Sequence, residues 1–372
     1  MTTGKVAVAL SGGVDSSVTA LLLKEAGHEV MGVYARLWNS SSSEQQEQQA
    51  QNICHILNIP FHTVDLQKEF YLYVVDYFSQ EYKRGQTPNP CVACNQHIKF
   101  GFLLDKALSL SVDHFATGHY ARIERLEDGY HLLKAKDTGK DQSYFIYTLS
   151  QEKLRCVLFP LSSYSRAEVQ QIARQRGLPV ATKPSQDICF ISQKHYHTFL
   201  SQRFLSLPGD IVDTQGKILG HHRGIAFYTI GQRHGLGLTS GKPLYVIRID
   251  LKHNRIVLGN EKELYSQEIA IRELNWIADE VPSEPLPVTA KIRYKSREAA
   301  ATLFPTCHGE SERSEGEAIS NVWFSQPQRA VAPGQAIVFY RGEEVLGGGI
   351  IENSQLETLD KERESYVAAT EL

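Results

Sequence analysis

The strongest constraint on the fold is a short apolar run that passes directly into a glycine-rich loop. Val6–Leu10 contains no polar residue, which is typical of a strand buried on both faces of a sheet. The next residues are Ser11-Gly12-Gly13-Val14-Asp15-Ser16-Ser17, and a helix-like pattern follows them. Glycines permit a tight turn, and the backbone N–H groups at a helix N-terminus attract an anion. The pattern therefore predicts a phosphate-binding loop between a buried strand and a helix.

This loop lacks the two common nucleotide-binding fingerprints. It has no Gly-Lys-Ser/Thr, so it is not a Walker A loop, and the absence of G-x-G-x-x-G argues against a dinucleotide fold. A Gly-Gly turn between a strand and a helix can also be purely structural. Asp15 favours the phosphate site, because a carboxylate beside an anion cradle is unfavourable unless a cation such as Mg²⁺ bridges it to phosphate.

The chain divides into an α/β half and a β half. Up to about residue 205, strand-like runs alternate with helix-length amphipathic stretches, which predicts a parallel sheet with helices on both faces. The strand candidates are Val6–Leu10, His28–Ala35, Phe61–Leu66 and His114–Gly118. Later runs are short and alternating, which predicts antiparallel β structure, either as two small domains or as one irregular domain. We expect an α/β domain at 1–205, a central β domain at 206–272, a C-terminal β-barrel at 273–354 and a loose polar tail at 355–372.

Composition limits the partners and the compartment. The 372 residues include 39 basic and 42 acidic side chains, a net charge of −3, so a polyanion would have to meet a local basic patch. Leu207–Asn260 is such a candidate, with seven Lys or Arg against three Asp. The acidic stretch His308–Ser320 is expected to be an exposed insertion. The sequence shows neither a signal-like start nor an apolar run of transmembrane length, so we expect a cytoplasmic protein without membrane contact.

Six cysteines are present, and their spacing does not suggest a disulfide framework. Cys91 and Cys94 form a CxxC pair between two predicted helices, with Asn95 as the expected cap of the second helix. A helix N-terminus lowers the pKa of a nearby thiol, so we expect Cys94 to be nucleophilic near neutral pH. Cys189 lies between Ile188 and Phe190, which is compatible with either a core position or a reactive one. The other three cysteines are expected to be structural: Cys54, Cys156 and Cys307.

Metal binding by these cysteines stays open at this stage. A four-ligand zinc site is weakly supported, because a second CxxC or CxxH pair is missing. Cys91, Cys94 and Cys189 are candidate ligands of an iron–sulfur cluster with one iron left open.

Seven motifs in order along residues 5–352 resemble those of the tRNA-specific 2-thiouridylase family, within the PP-loop ATP pyrophosphatases. The motifs are SGGVDSS at 11–17, GQTPNPCVACN at 85–95, ATGHY at 116–120, KDQSYF at 140–145, DICFI at 187–191, YTIGQRHGLG at 228–237, and PGQ with LGGGII at 333–351. The resemblance implies an adenine-nucleotide α-hydrolase-like N-terminal domain followed by two small antiparallel β domains.

The resemblance also implies a reaction. ATP adenylates the C2 oxygen of the wobble uridine of tRNA, and a cysteine persulfide then displaces AMP to leave 2-thiouridine. Cys189 matches the persulfide carrier, and Cys94 matches its partner, which acts as nucleophile or resolves the persulfide through a transient Cys94–Cys189 disulfide. The sulfur would come from a persulfide-donating carrier protein or a cysteine desulfurase. ATP and Mg²⁺ are the implied cofactors, and the residues implied to bind ATP are Ala9, Leu10, Ser11, Gly12, Gly13, Val14, Asp15, Ser16, Ala35 and Gly118.

The anticodon arm of tRNA is the implied macromolecular partner. Residues implied to border the target base are Asn89, Pro90 and Cys91, and those implied to face tRNA elsewhere are His119, Lys140, Asp141, Gln142, Arg293, Tyr294 and Gln335. Two positions depart from the family pattern. Some members have Asp, a candidate general base, where this chain has Cys91, and the family commonly has Lys where this chain has His234.

Overall fold

The structure is a computed structural model that describes residues 3–179, 188–191, 196–238, 242–278, 280–305 and 320–352. Several sequence expectations lie outside the described residues: those for Cys307, for Asp187 of the DICFI motif, for the acidic insertion before Ser320, and for the polar tail.

The strands are β1 (Lys5–Ala9), β2 (Glu29–Arg36), β3 (Phe61–Asp65), β4 (His114–Ala116), β5 (Arg122–Leu126), β6 (Gly129–Leu133), β7 (Val157–Leu158), β8 (Gly209–Asp213), β9 (Ile218–His222), β10 (Tyr245–Asp250), β11 (Arg255–Gly259), β12 (Tyr265–Trp276), β13 (Leu286–Lys291), β14 (Ala299–Phe304), β15 (Ser320–Arg329), β16 (Ala336–Arg341) and β17 (Glu344–Ile351).

The α-helices are α1 (Val14–Glu25), α2 (Ser41–Leu57), α3 (Gln67–Phe70), α4 (Tyr77–Lys83), α5 (Pro90–Ala93), α6 (Leu104–Leu108), α7 (Gln151–Cys156), α8 (Arg166–Gln175) and α9 (Tyr196–Ser201). Two π-helical segments, Tyr71–Asp76 and Cys94–Leu103, join α3 to α4 and α5 to α6. Of the helices in the described ranges, none has the length and apolar composition needed to span a membrane.

The α/β domain contains the expected parallel sheet. Its order is β3-β2-β1-β4-β7, and the pairings are parallel throughout. The four sequence-predicted strands are confirmed, with ends that differ by at most two residues. Helix α1 is followed by Gly27, which has a φ of 87°, a conformation that favours glycine.

The β half consists of two sheets that are largely antiparallel. A four-stranded sheet has the order β10-β11-β8-β9, and its β11–β8 pair is parallel, which the alternating pattern did not predict. In the second sheet, β12 pairs with both β15 and β17, so six strands close into a barrel. The β5–β6 hairpin of the α/β domain extends this sheet by pairing with β17.

The expected boundary between residues 272 and 273 falls inside one strand. β12 runs without interruption from Tyr265 to Trp276 and pairs with barrel strands along its length. In the structure the barrel therefore begins at Tyr265, because a strand paired on both sides cannot be divided between two sheets. The division of the chain into separate domains otherwise remains a prediction.

A buried ion-pair network joins the α/β domain to the barrel. The Arg272 guanidinium on β12 lies 3.2 Å from the Glu81 carboxylate on α4 and 2.9 Å from Glu352 after β17. The side chains of Glu81 and Arg272 are only 4% and 16% exposed. A buried carboxylate is costly to leave without a partner, so this pair ties the two units together.

We expect Arg272→Met to reduce the free energy of unfolding by about 3 kcal/mol, because it leaves the buried Glu81 carboxylate with a single, largely exposed partner, Arg84. The matched control is Arg176→Met, which breaks the solvent-exposed pair with Glu25 and should cost about 1 kcal/mol or less. Urea unfolding curves measure both changes. Equal shifts for the two variants would contradict the structural role of the buried pair.

Candidate active site

The predicted phosphate loop forms the turn between β1 and α1. The Ser16 and Ser17 hydroxyls donate to the Gly13 carbonyl oxygen over 3.0 and 2.8 Å, so they hold the turn in place. Gly12 has a φ of 73°, and a Cβ there would lie 2.8 Å from the Gln46 carbonyl oxygen. Glycine is therefore required at residue 12 by both its conformation and its surroundings.

Asp15, in the first turn of α1, has two protein partners. Its carboxylate accepts a hydrogen bond of 3.0 Å from the Tyr120 hydroxyl, and its other oxygen lies 3.4 Å from the Arg166 guanidinium. A carboxylate beside an anion site needs a neighbouring cation, and Arg166 supplies one. Tyr120 and Arg166 were missed by sequence reasoning because they are 105 and 151 residues away from Asp15.

The loops after β1 and β4 meet where the strand order reverses, which is where α/β sheets bind ligands. A Cβ at Gly118 would lie 2.8 Å from the Ser16 backbone nitrogen, so this loop packs directly against the start of α1. Ala35 lies near the carboxyl end of the neighbouring strand, β2. The structure thus brings the residues with an expected ATP role to one edge of the sheet: Ala9, Leu10, Ser11, Gly12, Gly13, Val14, Asp15, Ser16, Ala35 and Gly118.

The helix that carries the CxxC pair begins earlier than expected. Asn89 is its N-cap, since its side-chain oxygen accepts a 3.3 Å hydrogen bond from the Val92 backbone, and Pro90 occupies the first helical position. Asn95 lies inside the helix and donates to the Phe145 carbonyl oxygen over 3.0 Å. The prediction that Asn95 caps a helix beside Cys94 is therefore wrong, and Cys94 lies after the first turn.

The Cys94 thiol is buried, with a residue exposure of 9%. Burial raises the pKa of this thiol to about 12, and the positive charge of Lys99 offsets only part of that rise. The expected lowering of the Cys94 pKa is wrong, because removal of the thiolate from water outweighs the charges around it. At neutral pH the thiol is protonated.

Cys189 is exposed, so the interpretation of this residue as core is wrong. The adjacent Phe190 anchors the segment by packing against Phe70, Phe78 and Phe199. The surrounding protein removes the Cys189 thiol from part of its water, and this desolvation raises its pKa. The nearby Cys91 raises the pKa of Cys189 further, whereas the positive charge of Lys99 lowers it. Cys94 and Cys189 are present as thiols and not as a disulfide.

Lys99 is a site residue that sequence reasoning missed. It lies five residues after Cys94 in the π-helical segment, where hydrogen bonds to the fifth preceding residue widen the turn and bring such positions onto a similar face. Its charge lowers the pKa values of both Cys94 and Cys189. The signal available in the sequence was its place four residues after the GQTPNPCVACN motif at 85–95.

The metal hypotheses can be tested on the side chains present. Within the ranges that the structure describes, no group of three or more His, Cys, Asp or Glu side chains is placed to hold a metal ion. The thiols of Cys91, Cys94 and Cys189 in this arrangement therefore do not fit an iron–sulfur cluster.

Asp141 and His119, both expected to face tRNA, are buried. Asp141 is 7% exposed and accepts hydrogen bonds from the Ala135 and Ser143 backbones and from the Ser143 hydroxyl. His119 is also 7% exposed, with its Nδ1 2.7 Å from the Thr117 hydroxyl. Burial and the charge of Lys99 hold the pKa of His119 well below its usual value, so its ring is neutral. Both side chains support the site from within, because neither has the exposed surface that a phosphate contact needs.

The remaining residues with an expected tRNA role differ in exposure and in contacts. Pro90 is buried and Cys91 exposed, and Lys140 and Arg293 are exposed. The Tyr294 ring packs 4.4 Å from that of Phe145. Gln142 accepts a hydrogen bond from the Tyr120 backbone, and Gln335 donates to the Thr87 carbonyl oxygen over 2.8 Å.

Models of known protein families match the architecture of the chain. Three family models match the chain: a tRNA methyl transferase HUP domain at residues 4–193, a tRNA methyl transferase PRC-barrel domain at 197–260, and an aminomethyltransferase beta-barrel domain at 266–351. Among solved structures, the U34-tRNA thiolase NcsA from Methanococcus maripaludis, with its [4Fe-4S] cluster, is 21% identical, with a TM-score of 0.36 over 53% of this chain and 63% of that one.

Curated relatives match nearly the whole chain. The tRNA-specific 2-thiouridylase MnmA of Moorella thermoacetica is 44% identical over 362 residues, which cover 93% of this chain and 99% of that protein. MnmA 1 of Caldanaerobacter subterraneus subsp. tengcongensis is 46% identical over 364 residues, covering 94% and 98%. With a match of this extent and with its phosphate loop and cysteines in place, the chain belongs to the tRNA-specific 2-thiouridylase family of PP-loop proteins.

Proposed function

We propose that this chain, a tRNA-uridine 2-sulfurtransferase by its family, adenylates the C2 oxygen of the wobble uridine and replaces it with sulfur carried on Cys189. One observation carries this mechanism: the loop after β4 touches both reactive regions. Gly118 and Tyr120 contact the start of α1 at Asp15, while the His119 ring lies 5.5 Å from Phe100, next to Lys99. Activation and sulfur transfer can therefore occur in adjacent places.

The first step makes a leaving group. The uridine C2 oxygen attacks the α-phosphorus of ATP, and pyrophosphate departs. The backbone N–H groups of the loop Ser11–Gly13 and the N-terminus of α1 would hold the phosphates. The half-exposed Asp15 carboxylate offers the oxygen ligands that Mg²⁺ prefers, and a bound Mg²⁺ would neutralise charge on the departing pyrophosphate. Arg166 adds a fixed positive charge at the same place.

The second step transfers sulfur. The terminal sulfur of a Cys189 persulfide attacks C2, and AMP leaves with the former uridine oxygen. The Cys94 sulfur then attacks the Cys189 sulfur, which forms a Cys94–Cys189 disulfide and releases 2-thiouridine. A thiol reductant returns both cysteines to thiols. Lys99 assists because its ammonium group stabilises the negative charge on either sulfur.

The residues around Asn89 are suited to receive a base turned out of the anticodon loop. Extruded bases stack on aromatic rings, and the partly exposed rings of Phe145 and Tyr294 pack against each other and against the buried Tyr144. The exposed Lys140 and Arg293 would contact phosphates, as would the basic segment Leu207–Asn260.

The exposed position of Cys189 suits delivery of sulfur by another protein. We assign the donor to a persulfide-bearing carrier or a cysteine desulfurase. A reaction that needs ATP and reduced thiols also favours the cytoplasm, where thiols stay reduced.

The test of this assignment separates the two steps. Wild-type protein with ATP, Mg²⁺, a persulfide donor and unmodified tRNA should yield 2-thiouridine and AMP, measured by mass spectrometry. Cys189→Ser should lower 2-thiouridine by at least about a hundredfold while pyrophosphate release that depends on tRNA continues. Cys156→Ser, at a half-buried thiol outside the site, serves as the control and should keep both activities.

Full thiolation by Cys189→Ser would show that another group carries the sulfur. If folded wild-type protein that binds tRNA forms neither product, the activation mechanism is incorrect.

The role of Lys99 predicts a change in pH dependence. Lys99→Met removes the charge that lowers the pKa of Cys189, so that pKa should rise and alkylation at pH 8 should slow about fivefold. The alkylation curve should move to higher pH. Iodoacetamide labelling followed by peptide mass spectrometry gives the rate at each pH.

Two matched variants control this measurement. Lys99→Arg keeps the charge and should keep the curve, and Lys106→Met removes an exposed lysine from the following helix and should leave it unchanged. An unaltered curve in Lys99→Met would rule out the electrostatic role.

A further inference from the structure

We propose that the Pro333–Gln335 turn of the barrel positions the thiolation loop, residues 86–91, and that Gln335 is the residue that holds it. This inference rests on the proposed role of the thiolation loop and extends it to the barrel. The motif resemblance implied that Gln335 faces tRNA, whereas its side-chain amide donates to the Thr87 and Pro88 carbonyl oxygens.

Three hydrogen bonds connect the turn to the loop. The Gln335 side-chain nitrogen donates to the Thr87 carbonyl oxygen over 2.8 Å and to the Pro88 carbonyl oxygen over 3.4 Å. In the opposite direction, the Thr87 backbone N–H donates to the Pro333 carbonyl oxygen over 2.7 Å. The turn therefore satisfies both backbone groups of Thr87, which have no helix or sheet partner of their own.

The close approach of the turn to the thiolation loop depends on Gly334, which lies between Pro333 and Gln335. Gly334 has a φ of 88°, and a Cβ there would lie 2.9 Å from the Thr87 backbone nitrogen. Any larger residue would push the thiolation loop away from the barrel. Glycine is thus required here by both conformation and space.

The turn is itself fixed to the barrel. The Gly334 N–H donates to the Ile351 carbonyl oxygen, and the Ile351 N–H donates to the Gln335 carbonyl oxygen, each over 2.8 Å. β16 begins directly after the turn, and the Ala336 carbonyl oxygen accepts a 2.7 Å hydrogen bond from the Tyr144 hydroxyl. The turn that holds the thiolation loop is therefore itself hydrogen-bonded to the end of β17, and β16 after it to Tyr144.

The thiolation loop leads directly into the helix that carries Cys91 and Cys94, so its position affects theirs. Pro88 and Pro90 restrict the backbone on either side of Asn89, and Asn89 caps α5, which continues into the segment that begins with Cys94. A shift at Thr87 would therefore move the start of that helix. Reaction rates fall steeply when reacting groups are misplaced by as little as 1 Å.

The experiment measures the loop first without tRNA. In Gln335→Glu, an isosteric change that removes the donor, the Thr87 amide should exchange hydrogen at least about fivefold faster in the tRNA-free protein. Amides of β1 and β16 should keep their wild-type exchange and so show that the fold is intact. Gln335→Ala is the second variant, because it removes the donor without adding a charge.

Thiolation kinetics then connect the loop to the reaction. We expect kcat to fall about tenfold in both Gln335 variants, the equivalent of one lost hydrogen bond, with the KM for tRNA within about twofold of wild type. Gln326→Glu, an exposed glutamine on β15 of the same barrel, is the control and should behave as wild type.

Two results would overturn the proposal. One is unchanged Thr87 exchange in the tRNA-free variants. The other is a defect confined to the KM for tRNA, which would instead make Gln335 a tRNA contact. Because hydrogen exchange requires no catalysis, a wild-type protein that failed to thiolate tRNA would count against the proposed function and not against this positioning role.

Discussion

The removal of the Cys94 thiol from water is the constraint around which the rest of the site is arranged. A sulfur that is buried and protonated at neutral pH cannot collect sulfur from a partner protein, and it reacts only when a nearby positive charge favours its thiolate. The exposed Cys189 is suited to the first task, and Lys99 provides the charge. The buried His119 ring is neutral, so it adds no second positive charge to that of Lys99.

Three parts of the molecule contribute to the candidate site. The α/β sheet supplies the phosphate loop at its carboxyl edge, the π-helical segment supplies Cys94 and Lys99, and the barrel supports the loop that precedes them. The β5–β6 hairpin and the Arg272–Glu81 pair hold the barrel against the α/β domain. In the proposed mechanism the barrel therefore positions the loop that precedes Cys94, in addition to any tRNA contacts that it makes.

Local sequence patterns predicted the strands of the parallel sheet, but they could not predict contacts between residues far apart in the chain. The apolar run before the glycines identified β1 and the phosphate loop, because both signals lie within a dozen residues. The pairing of Asp15 with Tyr120 and Arg166 depends on tertiary packing, as does the burial of Cys94. The pKa of Cys94 was predicted in the wrong direction because a sequence shows a neighbouring helix end but does not show desolvation.

The central claim is that the uridine oxygen becomes part of AMP before sulfur replaces it. The most direct measurement uses tRNA labelled with ¹⁸O at C2 of the wobble uridine, in a single turnover with ATP and a persulfide donor. The account predicts that the AMP formed carries the label in its phosphate while 2-thiouridine appears. Unlabelled AMP, formed together with 2-thiouridine, would contradict adenylation of this oxygen.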